Sequence, residues 1–152
     1  MFFTLEKLER NTKQLKDLRY RERMEIPSFD ASKPEEEPVG KRPESVVYTG
    51  TLKKGDFWIG RGTYLWIRQS VEIPAEWVGK KIAGLFNMGK TGEGLNSGFE
   101  GLIYVNGSPY CETGSYHEEV IFPSELAGTK VELAIRLWAG LEGGGVPTQQ
   151  TH

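Results

Sequence analysis

In the run Thr63–Ile73, Leu65, Ile67, Val71 and Ile73 fall on one face at period two, while Tyr64, Trp66, Arg68 and Glu72 fall on the other. In Lys130–Trp138, Val131, Leu133, Ile135 and Leu137 repeat the pattern. Alternation at period two places successive side chains on opposite sides of a pleated strand, so each run is a strand with one buried face. Between them lie shorter runs of the same kind: "KKIAGLFNM", "EGLIYV", "SPYCET" and "EEVIF". Val105-Asn106-Gly107-Ser108 joins two of these. Asn-Gly accepts the positive φ values of a type I′ turn, so this segment reads as a tight hairpin with Tyr104 and Tyr110 beside it as a cross-strand aromatic pair. With Gly, Pro and Asn as punctuation and no helical pattern between the strands, the expected fold is mainly β. It is an antiparallel β-sandwich or jelly roll, preceded by an N-terminal α-helix.

That helix is expected within residues 1–26, chiefly over Thr4–Met24. Leu5, Leu8, Leu15 and Leu18 recur at helical spacing, with a polar gap at Asn11 and Thr12. Glu6 with Arg10, Glu9 with Lys13 and Asp17 with Arg21 are acid-first i,i+4 pairs. Ile26 precedes Pro27, which disfavours further helix. A stripe this narrow needs a partner surface. Residues 27–45 carry four prolines and the triplet Glu35-Glu36-Glu37, and read as an extended connector. The sandwich is then expected over 46–140, followed by a Gly-rich tail over 141–152. No internal repeat is evident. The run after Trp138 reads as a boundary within a longer protein, with an apolar docking patch near the helix or the Trp138 side.

The charge balance, 19 basic against 21 acidic residues in 152, argues against nucleic acid or an anionic membrane as partner. No run of about 18 apolar residues is present and the charged N-terminus is unlike a signal peptide, so a cytoplasmic location is expected. Cys111 is the only cysteine and makes no internal disulfide.

The acids Glu100, Glu112, Glu118 and Glu119 are of the right type for glycoside hydrolysis, yet nothing in their spacing brings two together. Cys111 and His117 have no activating context as a nucleophilic pair. The only other histidine is His152, and no His-x-His, His-x-Asp or Cys-x-x-Cys spacing exists for a metal. Trp58, Trp66, Trp77 and Trp138 suit either sugar stacking or core packing.

The segments "YLWIRQSVEIPAEWVGKKIAGLFNMG", "FEGLIYVNGSPYCETGSYHEEV" and "VELAIRLWAGLEGGG", with the opening "TLEKLERNTKQLKDLRYRERMEIPSFDA", resemble in order the N-terminal region of glycoside hydrolase family 38 α-mannosidases of bacterial and cytosolic type. A related pattern (aromatic-x-Arg, Ile-Pro-x-x-Trp, Val-Asn-Gly) occurs in the sugar-binding-like jelly roll of family 2 β-galactosidases, so the resemblance implies a galactose-binding-like sandwich. The resemblance implies a non-catalytic sandwich ahead of a catalytic domain in the same chain. Zinc and the nucleophile belong to that downstream domain, and this chain itself holds no cofactor. Many relatives show Asp-x-Asn-His-x-Glu where this chain has Gly114 to Glu119; His117 and Glu119 match, while Gly114 and Tyr116 replace the Asp and Asn. Tyr104, Tyr110, Tyr116, His117 and Glu119 are therefore the candidate interface or sugar-facing residues. The expected partners are the downstream domain, an oligosaccharide, and a second copy of the parent enzyme.

Overall fold

The computed structural model describes residues 4–36, 40–58, 62–89, 99–140 and 149–150. Helix α1 (Thr4–Arg19) comes first, then strands β1 (Ser28–Ser32), β2 (Tyr48–Lys53), β3 (Phe57–Trp58), β4 (Tyr64–Glu72), β5 (Ile82–Leu85), β6 (Glu100–Val105), β7 (Ser108–Gly114), β8 (Glu119–Phe122), β9 (Lys130–Trp138) and β10 (Gln149–Gln150). The main sheet runs β2-β1-β4-β9-β6-β7, and every neighbouring pair in it is antiparallel. Two small antiparallel sheets, β5-β8 and β3-β10, complete the β-sandwich.

The alternation read from sequence decides what is inside. Leu65, Ile67 and Val71 of β4 join Val131, Leu133, Ile135 and Leu137 of β9, and the small sheets add Trp58, Ile82, Val120 and Phe122 to the same core. Register fixes this arrangement, with β4 and β9 paired from Tyr64↔Trp138 to Glu72↔Lys130. A slip of one residue would turn the whole apolar set to the opposite face.

The outer face of the main sheet holds a second, smaller core. Trp66 is fully buried there with Val46, Tyr104 and Ala134, and its ring lies 5.4 Å from that of Tyr104. Its indole N–H has no acceptor among the described residues.

Three expectations are corrected. The helix ends at Arg19, not near Met24, because Arg19 and Tyr20 bond to Glu119 and the chain beyond them lies along the sandwich. The proline-rich stretch expected as a connector supplies β1, which pairs with both β2 and β4 inside the main sheet. Phe29 and Ala31 are its buried positions, so the sandwich begins well before residue 46. Tyr104 and Tyr110 do not pair, because the β6–β7 register shifts after Ile103 and sets Tyr104 opposite Pro109. Of the tail, Gln149 and Gln150 pair with Trp58 and Phe57; the triple glycine lies outside the described residues.

A repeat also emerges. Pro74-Ala75-Glu76-Trp77-Val78-Gly79 and Pro123-Ser124-Glu125-Leu126-Ala127-Gly128 each form a single 3₁₀ turn ending in a positive-φ glycine, φ 75° and 73°. The two turns abut: the Gly128 N–H donates to the Ile73 carbonyl at 2.9 Å, and the Ile73 N–H to the Thr129 carbonyl at 3.0 Å.

Candidate functional site

Strand β8 and the turn and strand before it carry most of the residues singled out in the sequence. The β7–β8 turn is closed by the His117 N–H donating to the Gly114 carbonyl at 2.8 Å. Thr113, buried at the end of β7, donates its hydroxyl to the His117 carbonyl, also at 2.8 Å. So tight a turn leaves the Tyr116 and His117 side chains outside, both exposed. Glu119 then opens β8. Alternation sends Val120 and Phe122 into the core and leaves Glu119 and Ile121 outward, opposite Leu85 and Ala83 of β5. Ile121 and Leu85 are 50 % and 54 % exposed, an apolar pair on the sheet's solvent face.

Tyr110 reaches this sheet from β7. Its ring stacks on Phe122 at 5.4 Å, and its hydroxyl donates to the Ile121 carbonyl at 2.7 Å. Tyr110 thus closes the β7–β8 edge of the sandwich against the core-facing Phe122, Tyr116 and His117 lie in the β7–β8 turn, and Glu119 lies on the outer face of β5–β8. Tyr104 lies apart, buried in the outer core of the main sheet.

Glu119 is held by residues about a hundred positions away in sequence. Arg19 Nη2 stands 2.6 Å from Oε2 and 2.7 Å from Oε1, and the Tyr20 hydroxyl donates to the same carboxylate. Burial first, then the hydrogen bond to Glu119, push the Tyr20 phenol above its ordinary value. Two further ion pairs fasten the segment that follows. Lys80 Nζ lies 2.6 Å from Glu22 and pulls that carboxyl below its usual range, and Lys54 lies 3.2 Å from Glu25. Ile26 packs against the main core. Residues 20–27 thus form a strap across one end of the sandwich, over a pocket of about 360 Å³. Tyr20, Met24, Ile26, Phe29, Trp77 and Phe86 are among its lining.

Arg19 and Tyr20 were invisible to sequence reasoning as site residues, since helix periodicity absorbed Arg19 and nothing local links either to β8. Cys111 is no activated nucleophile: it packs against the core, and burial, followed by the nearby Glu112 charge, raises its thiol pKa. Among the described residues no three His, Cys, Asp or Glu side chains converge. His152 lies outside them. Of the four tryptophans, Trp58 and Trp66 are buried; Trp58 donates its indole N–H to the Met88 carbonyl at 2.8 Å. Trp77 and Trp138 are half-buried. No helix among the described residues is long and apolar enough to cross a membrane.

No protein-family model, curated protein or solved structure matches this chain.

Proposed function

We propose that this chain is an N-terminal accessory domain of a family 38-type α-mannosidase, structural in role, and that the outer face of β5–β8 docks a downstream catalytic domain. The observation that carries the docking reading is the exposed Leu85 and Ile121 pair beside Glu119, whose carboxylate is already fixed by Arg19 and Tyr20. An apolar centre with an oriented polar rim is the anatomy of a protein interface. Tyr116 and His117, exposed in the turn that leads into β8, would extend that rim. The parent reaction would be zinc-dependent, retaining hydrolysis of α-linked mannose from oligosaccharides in the cytoplasm, with metal and nucleophile supplied by the downstream domain. The mannosidase identity rests on the motif resemblance in "FEGLIYVNGSPYCETGSYHEEV" and its companion segments.

The purified 152-residue chain is expected to show no α-mannoside turnover; turnover abolished by a chelator would overturn the accessory role. Reading the coding sequence past His152 is expected to reveal a His-x-Asp motif, and its lack would remove the mannosidase assignment. In the longer protein, Leu85→Asp with Ile121→Asp is expected to loosen the domain and expose the junction to protease. An unchanged cleavage pattern would reject the docking face.

A second reading is favoured by one observation on the main sheet. Tyr64 and Trp138, paired across β4 and β9, form a half-buried aromatic shelf with ring centroids 6.5 Å apart, and the Arg136 guanidinium lies 5.8 Å from the Tyr64 ring. Such a shelf suits the apolar face of a pyranose. Calorimetric titration with mannosides decides it: heat lost in Trp138→Ala supports a carbohydrate-binding module, and a flat titration rejects it.

A further inference from the structure

Every described side chain of α1 is exposed, so the sandwich buries none of these described side chains. Contact with Glu119 through Arg19 holds its C-terminal end. A 16-residue helix standing alone is marginal in water, and a leucine stripe along it calls for a partner. Leu5, Leu8, Leu15 and Leu18 are 76 %, 57 %, 67 % and 70 % exposed.

The spacing identifies what covers them. The stripe is symmetric about the midpoint between Asn11 and Thr12: Leu8 and Leu15 lie equally far on either side, and so do Leu5 and Leu18. Such a stripe is complementary to itself when the helix direction is reversed. In an antiparallel pair Leu5 meets the partner's Leu18, Leu8 meets the partner's Leu15, and Asn11 faces the partner's Thr12 across the two-fold axis. A two-fold pair with reversed helices requires this self-complementarity, whereas an unrelated partner imposes no symmetry on the stripe. The two central polar residues would fix the register, as single polar residues do in coiled-coil seams.

Orientation follows from where the sandwich is attached. Both sandwiches hang from the C-terminal end of α1. Parallel helices packed 8–10 Å apart would crowd both sandwiches at the same end of the pair. Reversal places them at opposite ends of a helix about 24 Å long, its 16 residues at 1.5 Å each. The eight leucines of two helices would remove roughly 600 Å² of apolar surface from water, below the ~1,000 Å² of a firm interface. The association is therefore weak and concentration-dependent.

We infer that α1 mediates a weak antiparallel homodimer through the leucine stripe centred on Asn11 and Thr12. This stands independently of the mannosidase reading. Sedimentation equilibrium of the 152-residue chain is expected to give a monomer–dimer equilibrium with Kd on the order of 10–500 μM. Leu8→Glu with Leu15→Glu is expected to leave only monomer while tryptophan emission reports an intact sandwich. Asn11→Leu with Thr12→Leu, which fills the polar gap, is expected to tighten the dimer at least about tenfold. In a Cys111→Ser background, Leu5→Cys and Leu18→Cys chains are expected to cross-link when mixed and far less when separate. Cross-linking within either single variant would show parallel pairing and overturn the inference. So would a dimer insensitive to Leu8→Glu with Leu15→Glu, or monomer throughout for both the native chain and Asn11→Leu with Thr12→Leu.

Discussion

Asn106 offers a test in which two physical effects separate cleanly. Its backbone sits at φ 50° and that of Gly107 at φ 79°, the paired positive values of a type I′ turn. The residue does more than turn the chain. Its N–H donates to the Glu132 carbonyl at 2.8 Å, and its side-chain Oδ1 accepts from the Glu132 N–H at 2.9 Å. The side-chain amide thereby extends the β6–β9 ladder one step beyond the Val105↔Leu133 pair. Alanine at this position would suffer left-handed strain of about 1 kcal/mol and lose a hydrogen bond worth about 1 kcal/mol, roughly 2 kcal/mol together. Glycine relieves the strain but still loses the bond, costing about 1 kcal/mol. Aspartate keeps both the tolerated φ and the acceptor, so its cost is expected to stay within about 0.5 kcal/mol.

Urea denaturation followed by emission from the buried Trp58 and Trp66 reads these differences directly. The expected order of stability is native and Asn106→Asp first, then Asn106→Gly, then Asn106→Ala. The alanine variant is expected to melt about 4–8 °C lower, the shift that ~2 kcal/mol makes in a domain of this size. Equal losses for alanine and glycine would show that no left-handed strain is relieved. A glycine variant as stable as the native chain would show that the Oδ1 bond to Glu132 contributes nothing.

The twin 3₁₀ turns supply a matched pair. A Cβ at Gly79 meets nothing within 4 Å, whereas one at Gly128 comes 3.3 Å from the Ala75 Cβ. Gly79→Ala is therefore expected to cost about 1 kcal/mol of φ strain and Gly128→Ala about 1 kcal/mol more; equal thermal shifts would refute the crowding. For Tyr20, a folded-state pKa raised above the ordinary value near 10 means that stabilisation is complete below about pH 10 and is lost as pH rises through the folded value. Glu119→Gln is expected to move the tyrosinate absorbance of Tyr20, taken as the difference from Tyr20→Phe, to lower pH; no movement would refute the contact. Cys111, with its thiol raised by burial, is expected to alkylate far more slowly in the folded chain than in urea at pH 8, and equal rates would contradict its packing against the core.

The central strands were legible because β4 and β9 pair along their full length with one face in the core, so burial imposes the period-two pattern on sequence. β2 escaped reading because Leu52 is its only buried residue, and β1 because Phe29 and Ala31 stand between prolines at 27 and 34. Trp66 defied its alternation. Its position faces outward, yet Val46 and Tyr104 cover it, and a strand pattern carries no record of what a later or earlier segment lays across the sheet. The paired turns were missed for a different reason: Pro, Glu and Gly recur in register, but only the shared backbone conformation makes three matches in six positions a repeat.

The same limit governs the candidate site. Tyr116, His117 and Glu119 are neighbours in sequence and stay neighbours in the fold, so their grouping was available from the start. Tyr104 lies apart from them, and the reason is a bulge in β7 that a period-two template does not show: Tyr110 stacks on Phe122 while Tyr104 stays with Trp66. Arg19 and Tyr20 were left out because their contact with Glu119 spans about a hundred residues. That contact also decides where α1 stops. A helix end set by a distant carboxylate cannot be read from the propensities of the residues around it, and here the Ile26-Pro27 stop lies seven residues beyond the true end. Through Glu119 the end of the leucine-striped helix is joined to the β5–β8 face by an ion pair and a hydroxyl hydrogen bond. A group that engages the Glu119 carboxylate therefore competes with Arg19 and Tyr20.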